Sequence, residues 1–271
     1  AWQRLIIMVG GVTVNVILAF FIYAMILFSW GKEYIPIENL TYGVYADSLM
    51  LDAGFKHGDK ILMVGSHKPK TLNEVNQEIL FGDARSIKID RNGNEMTIDL
   101  PQDVDQQMLA SGAQTIFYEQ YPAVVDSVLP GSNAEKAGFR KGDEVLALND
   151  SKISSFVDLK FQLPRFKGQD VDVTLKRNGE VITVDAAIDT MGYFGYIPVY
   201  PTEFLQTQKQ EFTFFESFPA GVKEGWSILT NYVRSLKLIF SSEGVKQVGG
   251  FGTIAGLFDA SWNWPHFWSM T

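Results

Sequence analysis

Hydrophobic positions follow three different rhythms along this chain. From Leu5 to Trp30 they are continuous: LIIMVGGVTVNVILAFFIYAMILFSW, 26 residues without a charge. A bilayer core needs about 20 apolar residues in a helix, so residues 5–30 predict a transmembrane helix. A cleaved signal peptide has a shorter apolar region, about 7–15 residues, and a small-residue cleavage site, and no such site follows Trp30. From residue 34 to 199 the pattern changes to short alternating runs broken by Gly, Asn and Asp, the mark of strands and turns. After a polar stretch at 200–212, expected to be a linker, the period becomes helical. Phe215, Phe218, Val222, Trp226, Leu229, Val233, Leu236 and Phe240 recur at steps of three and four, predicting an amphipathic helix over 213–242. Lys223, Glu224, Asn231, Arg234 and Lys237 fall on other faces, so this helix is expected on a membrane surface or against protein rather than across lipid.

The alternating region contains a duplication. AGFKHGDKILMV at 53–64 returns as AGFRKGDEVLAL at 137–148, and DRNGNEMTI at 90–98 returns as KRNGEVITV at 176–184. One period in two copies implies two domains of similar build, 34–118 and 119–199, rather than a solenoid. In the second copy VVDSVLP predicts a strand, and Ser132 can cap the short helix SNAEKAG. EVLALND is a further strand, followed by a Ser-capped helix, SSFVDLKFQLPRF. DVDVTLKR and EVITVDAAI form a hairpin about Asn178-Gly179, a strong turn signal. The acidic Asp59 and Asp143 in the repeated turn are expected to hydrogen-bond nearby backbone and hold the fold, not to catalyse. In the first copy Ser48–Asp52 replaces the Pro-Gly-Ser approach to the short helix, which is therefore expected to be distorted.

Charge and composition then narrow the function. The net charge is −8, the pI is about 5.0 and no basic run occurs, which argues against nucleic-acid binding. Cysteine is absent, which excludes disulfides and thiolate metal sites. His57, His67 and His266 are the three histidines, none spaced four from another; His57 and His67 are expected to be solvated surface residues. Gly249–Phe258 is small and apolar but lacks the Lys-Ser/Thr end of a phosphate loop. The three Trp of SWNWPHFWSMT suggest that 249–271 leads along a membrane interface toward a further span. Arg4 ahead of the first helix suggests a cytoplasmic N-terminal side and an outside location for residues 34 onward. Ala1 directly before a span suggests a segment of a longer protein.

The order strand, P-G-S-x-A-x-x-A-G-F-x-x-G-D, strand, capped helix and R-N-G hairpin resembles the PDZ domain, closely at 121–188 and more loosely at 41–100. PDZ domains accept an extended peptide as an added strand and bind its terminal carboxylate in a Gly-rich loop. The loop Met191-Gly192-Tyr193-Phe194-Gly195-Tyr196-Ile197-Pro198 fits that role, and its place at the domain's end implies circular permutation. Its counterpart near Gly112–Tyr118, GAQTIFY, lacks the second Gly, so weaker peptide binding is expected there.

One span, two such domains, an amphipathic helix and G-G-x-G-x-I-A together resemble the site-2 protease family of the regulator of sigma-E protease type. The fold class expected is a membrane-anchored α+β chain: one transmembrane helix, two circularly permuted PDZ-like β-rich domains and C-terminal amphipathic helices. Arg4, Gly10, Gly11 and Asn15 sit where that family has a Gly-Pro-x-x-Asn pattern, with Val12 replacing the Pro. The resemblance implies a bacterial inner-membrane zinc metalloprotease that cleaves the membrane segments of pre-trimmed single-pass proteins, such as anti-sigma factors and remnant signal peptides. It places zinc on HExxH and LDG motifs, and neither occurs in these residues, so no catalytic or metal residue is expected within this segment. The expected partners are single-pass substrates, the bilayer, and peptide or protein C-termini at the second copy. A non-enzymatic anchored scaffold is the rival class. A PDZ-bearing serine protease fits less well, because no serine protease motif separates the span from the repeats.

Overall fold

A computed structural model of the chain describes residues 2–82, 84–111 and 115–239. The elements in chain order are α1 (Trp2–Trp30), β1 (Lys32–Tyr34), β2 (Val44–Ala46), α2 (Ser48–Asp52), β3 (Lys60–Val64), α3 (Leu72–Phe81), β4 (Ser86–Arg91), β5 (Asn94–Asp99) and α4 (Val104–Ser111). They continue as β6 (Phe117–Glu119), β7 (Val125–Val128), α5 (Asn133–Lys136), β8 (Glu144–Leu148), β9 (Ser151–Lys152), α6 (Phe156–Gln162), β10 (Asp170–Arg177), β11 (Glu180–Ala187), β12 (Tyr196–Pro198), β13 (Gln208–Gln210) and α7 (Phe214–Ile239). They belong to two compact units, one holding α1 and α7, the other holding the duplicated β-rich region.

In the first unit α1 is the one described helix long and apolar enough to cross a membrane. α7 packs along it mainly by small residues, and of the apolar stripe that its period marks Phe218 joins the contact. Ser217, Gly221 and Gly225 form the buried face, while Trp226 is 63% and Phe215 84% exposed. A side chain at Gly221 would meet the Ala24 backbone nitrogen at 2.5 Å, and one at Gly225 the Phe20 ring at 2.6 Å. Small residues let the two backbones approach closely, as at helix contacts in membranes. Phe28–Phe214 and Phe21–Phe218 ring contacts, at 5.6 and 6.0 Å, flank that seam. The expectation that α7 finds a membrane surface or protein is therefore sharpened: one face is taken by α1, and Phe215, Val222, Trp226 and Val233 of the stripe are exposed. Phe240 and the whole of Gly249–Phe258 and SWNWPHFWSMT lie outside the described residues.

In the second unit the two copies repeat one design. β8, β10 and β11 form an antiparallel sheet extended by β9, and β3, β4 and β5 repeat its three-stranded core. The hairpins turn at Asn92-Gly93 and Asn178-Gly179, all four residues at positive φ, the mirror-image turn whose twist suits the strands. Val125, Phe139, Val145, Leu148, Leu159, Val173, Leu175 and Phe194 fill the second copy's core. Fully burying such side chains contributes roughly 1.5–3 kcal/mol each. α2 is a regular short helix, not a distorted one: Asp47 replaces Ser132 as cap and accepts from the Met50 amide at 3.0 Å. The stretch at 200–212 is more than a linker. β13 pairs with β1, Leu205 is buried, and Phe204 stacks on Tyr121 at 6.1 Å.

The repeated acidic turn explains itself here. Asp143 is buried and receives Arg177 in a forked pair, Nε to Oδ1 at 2.7 Å and Nη2 to Oδ2 at 2.6 Å. The Arg140 amide adds a third bond at 2.8 Å, and Arg177 Nη2 also donates to the Gly138 carbonyl at 2.7 Å. The first copy reproduces every bond: Arg91 to both Asp59 oxygens at 2.7 Å, the Lys56 amide to Asp59 at 2.8 Å, and Arg91 to the Gly54 carbonyl at 2.9 Å. Each clamp ties the hairpin to the turn, so Asp59 and Asp143 are structural.

Candidate functional site: the loop at 189–198 and the free edge of β12

The loop between β11 and β12 is shaped by Asp189. Its Oδ1 accepts from the Met191 amide at 2.9 Å and the Tyr193 amide at 2.8 Å, and its backbone accepts from Gly192 at 3.0 Å. Phe194 is buried, 5.3 Å from the Phe139 ring, and anchors the loop in the core. The carbonyls point inward: Phe194 accepts from the Ala134 amide at 2.8 Å and Gly195 from the Leu129 amide at 3.0 Å. The adjacent amides of Phe194 and Gly195 find no acceptor among the described residues. Consecutive unpaired amides in such a turn form an anion-binding concavity. Gly195 is required twice over. Its φ is +88°, and a Cβ there would lie 2.5 Å from Ser132 Cβ.

β12 follows directly and pairs with β7 alone, Tyr196 opposite Val128 and Ile197 opposite Ser127. Among the described residues its other edge carries no strand, so an extended chain can add there with its terminus against the Phe194 and Gly195 amides. Of the residues that the sequence singles out, Gly192, Gly195 and the backbone of Phe194 build the concavity. Ile197 and Tyr193 present partly exposed side chains. The Phe194 ring belongs to the core. Tyr196 has a buried hydroxyl without a hydrogen-bond partner among the described residues, and burial, with Tyr121 adding to it, pushes its pKa up. Lys167 lies beside the loop, its Cε 3.1 Å from where a Gly192 Cβ would sit. A cation there suits a carboxylate, and its place just after a Pro-containing turn gives no sequence signal.

The two copies meet through aromatic rings. Tyr45 stacks between His57, at 4.1 Å, and Phe161 of α6, at 5.6 Å, while Tyr118 meets the Phe161 edge at 5.4 Å. His57 is thus more than the solvated residue expected from its turn. Its Nδ1 accepts from the Ala46 amide at 3.3 Å, and burial lowers its pKa below the ordinary 6.5 despite Asp158 and Asp59 nearby. His67 is exposed, 3.8 Å from Glu74. Among the described residues no three His, Asp or Glu side chains converge as metal ligands, so these residues do not fit a zinc centre. On α1, an added Cβ at Gly10 or Gly11 would meet nothing within 4 Å, and Asn15 is exposed. The side chain of Arg4 lies outside the description.

The chain contains a PDZ domain: the PDZ domain family matches residues 110–188. That match takes in Phe117–Glu119, which pair with β2 of the first copy, and stops before the 189–198 loop. A Neisseria meningitidis protein provisionally named a zinc metalloprotease is 26% identical over 70% of this chain and 44% of its own length. Zinc metalloprotease RasP of Shouchella clausii is 27% identical over 43% of this chain and 28% of its own. The periplasmic pH-dependent serine endoprotease DegQ of Escherichia coli is 30% identical over 47% of this chain and 25% of its own. Each match spans less than half of the relative's own length. The PDZ domain and the zinc metalloprotease relatives together support the site-2 protease family, PDZ-bearing type, as the family of this chain.

Proposed function

We propose that this chain is the substrate-gating and membrane-anchoring segment of an intramembrane zinc metalloprotease. α1 spans the bacterial inner membrane with Arg4 on the cytoplasmic side. The motif Arg4, Gly10, Gly11 and Asn15 serves the membrane-embedded machinery, with Asn15 facing it, since a polar Asn in lipid is costly unless used. The duplicated β-rich region stands outside as two circularly permuted PDZ-like domains. The pairing of β12 with β7, across the 189–198 loop, supports the permutation.

The observation that carries the reading is the pair of amides, Phe194 and Gly195, without a partner among the described residues, beside a strand edge with no neighbour among them. That geometry suits a free C-terminal carboxylate followed backward by an extended chain, with Gly192, Tyr193, Tyr196 and Ile197 around it. A single-pass protein whose outer domain has been cut away offers just such a new terminus near the membrane. The segment would therefore admit pre-trimmed single-pass proteins to zinc and exclude intact ones. Zinc and its ligands would lie on residues other than these, and when bound the metal supplies a hydrolytic water. Metalloprotease relatives align with 67–70% of this chain where they match longest, against 40–47% for the serine endoproteases DegQ and HhoA-like, which favours the zinc reading. The coding sequence on either side tests it cheaply. HExxH upstream and LDG downstream are the expected result; stop codons at both ends would sink it.

A further inference from the structure

The first copy has the same strand and helix pair as the second, but its peptide edge is already filled. Two independent registers align the copies. The helix caps match, Thr71 with Ser155, each accepting from the amide three residues on at 3.2 Å. The loop-end bonds match as well: Asp47 N–H to the Ile116 carbonyl at 2.9 Å, and Leu129 N–H to the Gly195 carbonyl at 3.0 Å. Ile116 and Phe117 therefore stand where the second copy has Gly195 and Tyr196, and Asn76 of α3 stands where α6 has Lys160.

Asn76 is 6% exposed and reaches from α3 to β6. Its Oδ1 accepts from the Ile116 amide at 3.2 Å and the Phe117 amide at 3.1 Å. Its Nδ2 donates to the Phe117 carbonyl at 3.0 Å and the Leu72 carbonyl at 3.2 Å. Two donors and two acceptors are all satisfied, which fixes the orientation of the amide. Among the described residues β6 pairs with β2 on one side only. On its other side the Asn76 carboxamide takes both the Phe117 amide and the Phe117 carbonyl that an added strand would use, and its oxygen also sits on the Ile116 amide, the counterpart of the Gly195 amide that would hold a carboxylate. Lys160, by contrast, is exposed.

We propose that Asn76 is an internal ligand: it occupies the peptide edge of the first copy, so that this copy takes no C-terminus and the second copy is the one reader. This rests on the strand-addition reading of the second copy. The first copy then serves as a docking wall, its β2 and β6 turned to Phe161 through Tyr45 and Tyr118.

Hydrogen exchange on the whole chain in detergent, without peptide, tests the plug itself. The Ile116 amide, held by Asn76, is expected to exchange at least about tenfold more slowly than its counterpart, the amide of Gly195. Equal or reversed rates would overturn the proposal. A pool of random heptapeptides with free C-termini then tests the consequence. With Gly195→Trp closing the second copy, no peptide should be captured. Adding Asn76→Ala, or Asn76→Ser should the alanine variant misfold, should restore capture that depends on the free carboxylate. Capture by the Gly195→Trp chain with protection at Ile116 and Phe117, or a folded double variant that captures nothing, would overturn it. Failure of the unmodified chain to bind any peptide would instead sink the second-copy reading, and the exchange contrast would still decide the plug.

Discussion

Arg177→Ala is expected to destabilise the second copy by about 3–5 kcal/mol, because it leaves the buried Asp143 charge without its partner. The forked pair at 2.6–2.7 Å joins the hairpin to the turn, and Asp143 is fully buried. Burial alone pushes the Asp143 carboxyl up. The Arg177 hydrogen bonds, aided by the Arg140 amide and the two positive charges, outweigh it and hold its pKa below the usual carboxylate value. A carboxylate with a depressed folded pKa adds stability above its unfolded value, near 3.8, and loses it as pH falls through the folded one. With Arg177 gone, its share of that lowering is lost while burial and the Arg140 amide and charge remain, so the folded pKa rises from its depressed position. The variant should therefore lose less stability on acidification than the unmodified chain does. Denaturant unfolding at neutral and acidic pH reads both effects. A loss under about 1 kcal/mol, as for an exposed pair, would contradict the clamp.

Gly195→Trp is expected to weaken binding of a free-carboxylate peptide by at least about 100-fold, since hydrogen bonds to a charged group contribute about 1.5–3 kcal/mol each and two are lost. The effect has a backbone cause. At φ +88° no large side chain is comfortable, and Cβ would press on Ser132 at 2.5 Å. The loop must open, and the Phe194 and Gly195 amides separate. Amidating the peptide's terminus should weaken binding to the unmodified chain comparably, a control that needs no variant. Equal affinities for acid and amide would show that the terminus is not what this loop reads.

The fold was legible where chemistry is local. The duplicated turns, the Asn-Gly hairpins and the Ser caps follow from short residue patterns, and the Gly-x-x-Gly loop announces its positive φ. The clamp partners were harder to see. The turn repeats at an offset of 84 and the hairpin at 86, so Arg91 and Arg177 match as sequence without revealing that they reach back to Asp59 and Asp143. Asn76 was invisible, because a lone polar residue in a short helix resembles a solvated one until β6 lies beside it. α7 misled in the opposite sense. Its apolar period marks a stripe that is exposed at Phe215, Val222, Trp226 and Val233, whereas Ser217, Gly221 and Gly225 bring it close to α1 by being small. Close approach leaves no hydrophobic signature. The strand at 208–210 was hidden by its polar composition, since its pairing with β1 rests on backbone bonds alone.

Cleavage by the whole protein tests the central claim most directly. The zinc-loaded protein in proteoliposomes would be given one single-pass substrate in two forms, intact, or trimmed to a free C-terminus just outside the membrane. The account predicts fast cutting of the trimmed form alone, and in the Gly195→Trp variant a rate for the trimmed form that falls to that of the intact one. The same preference for the trimmed form with and without Gly195 would contradict it.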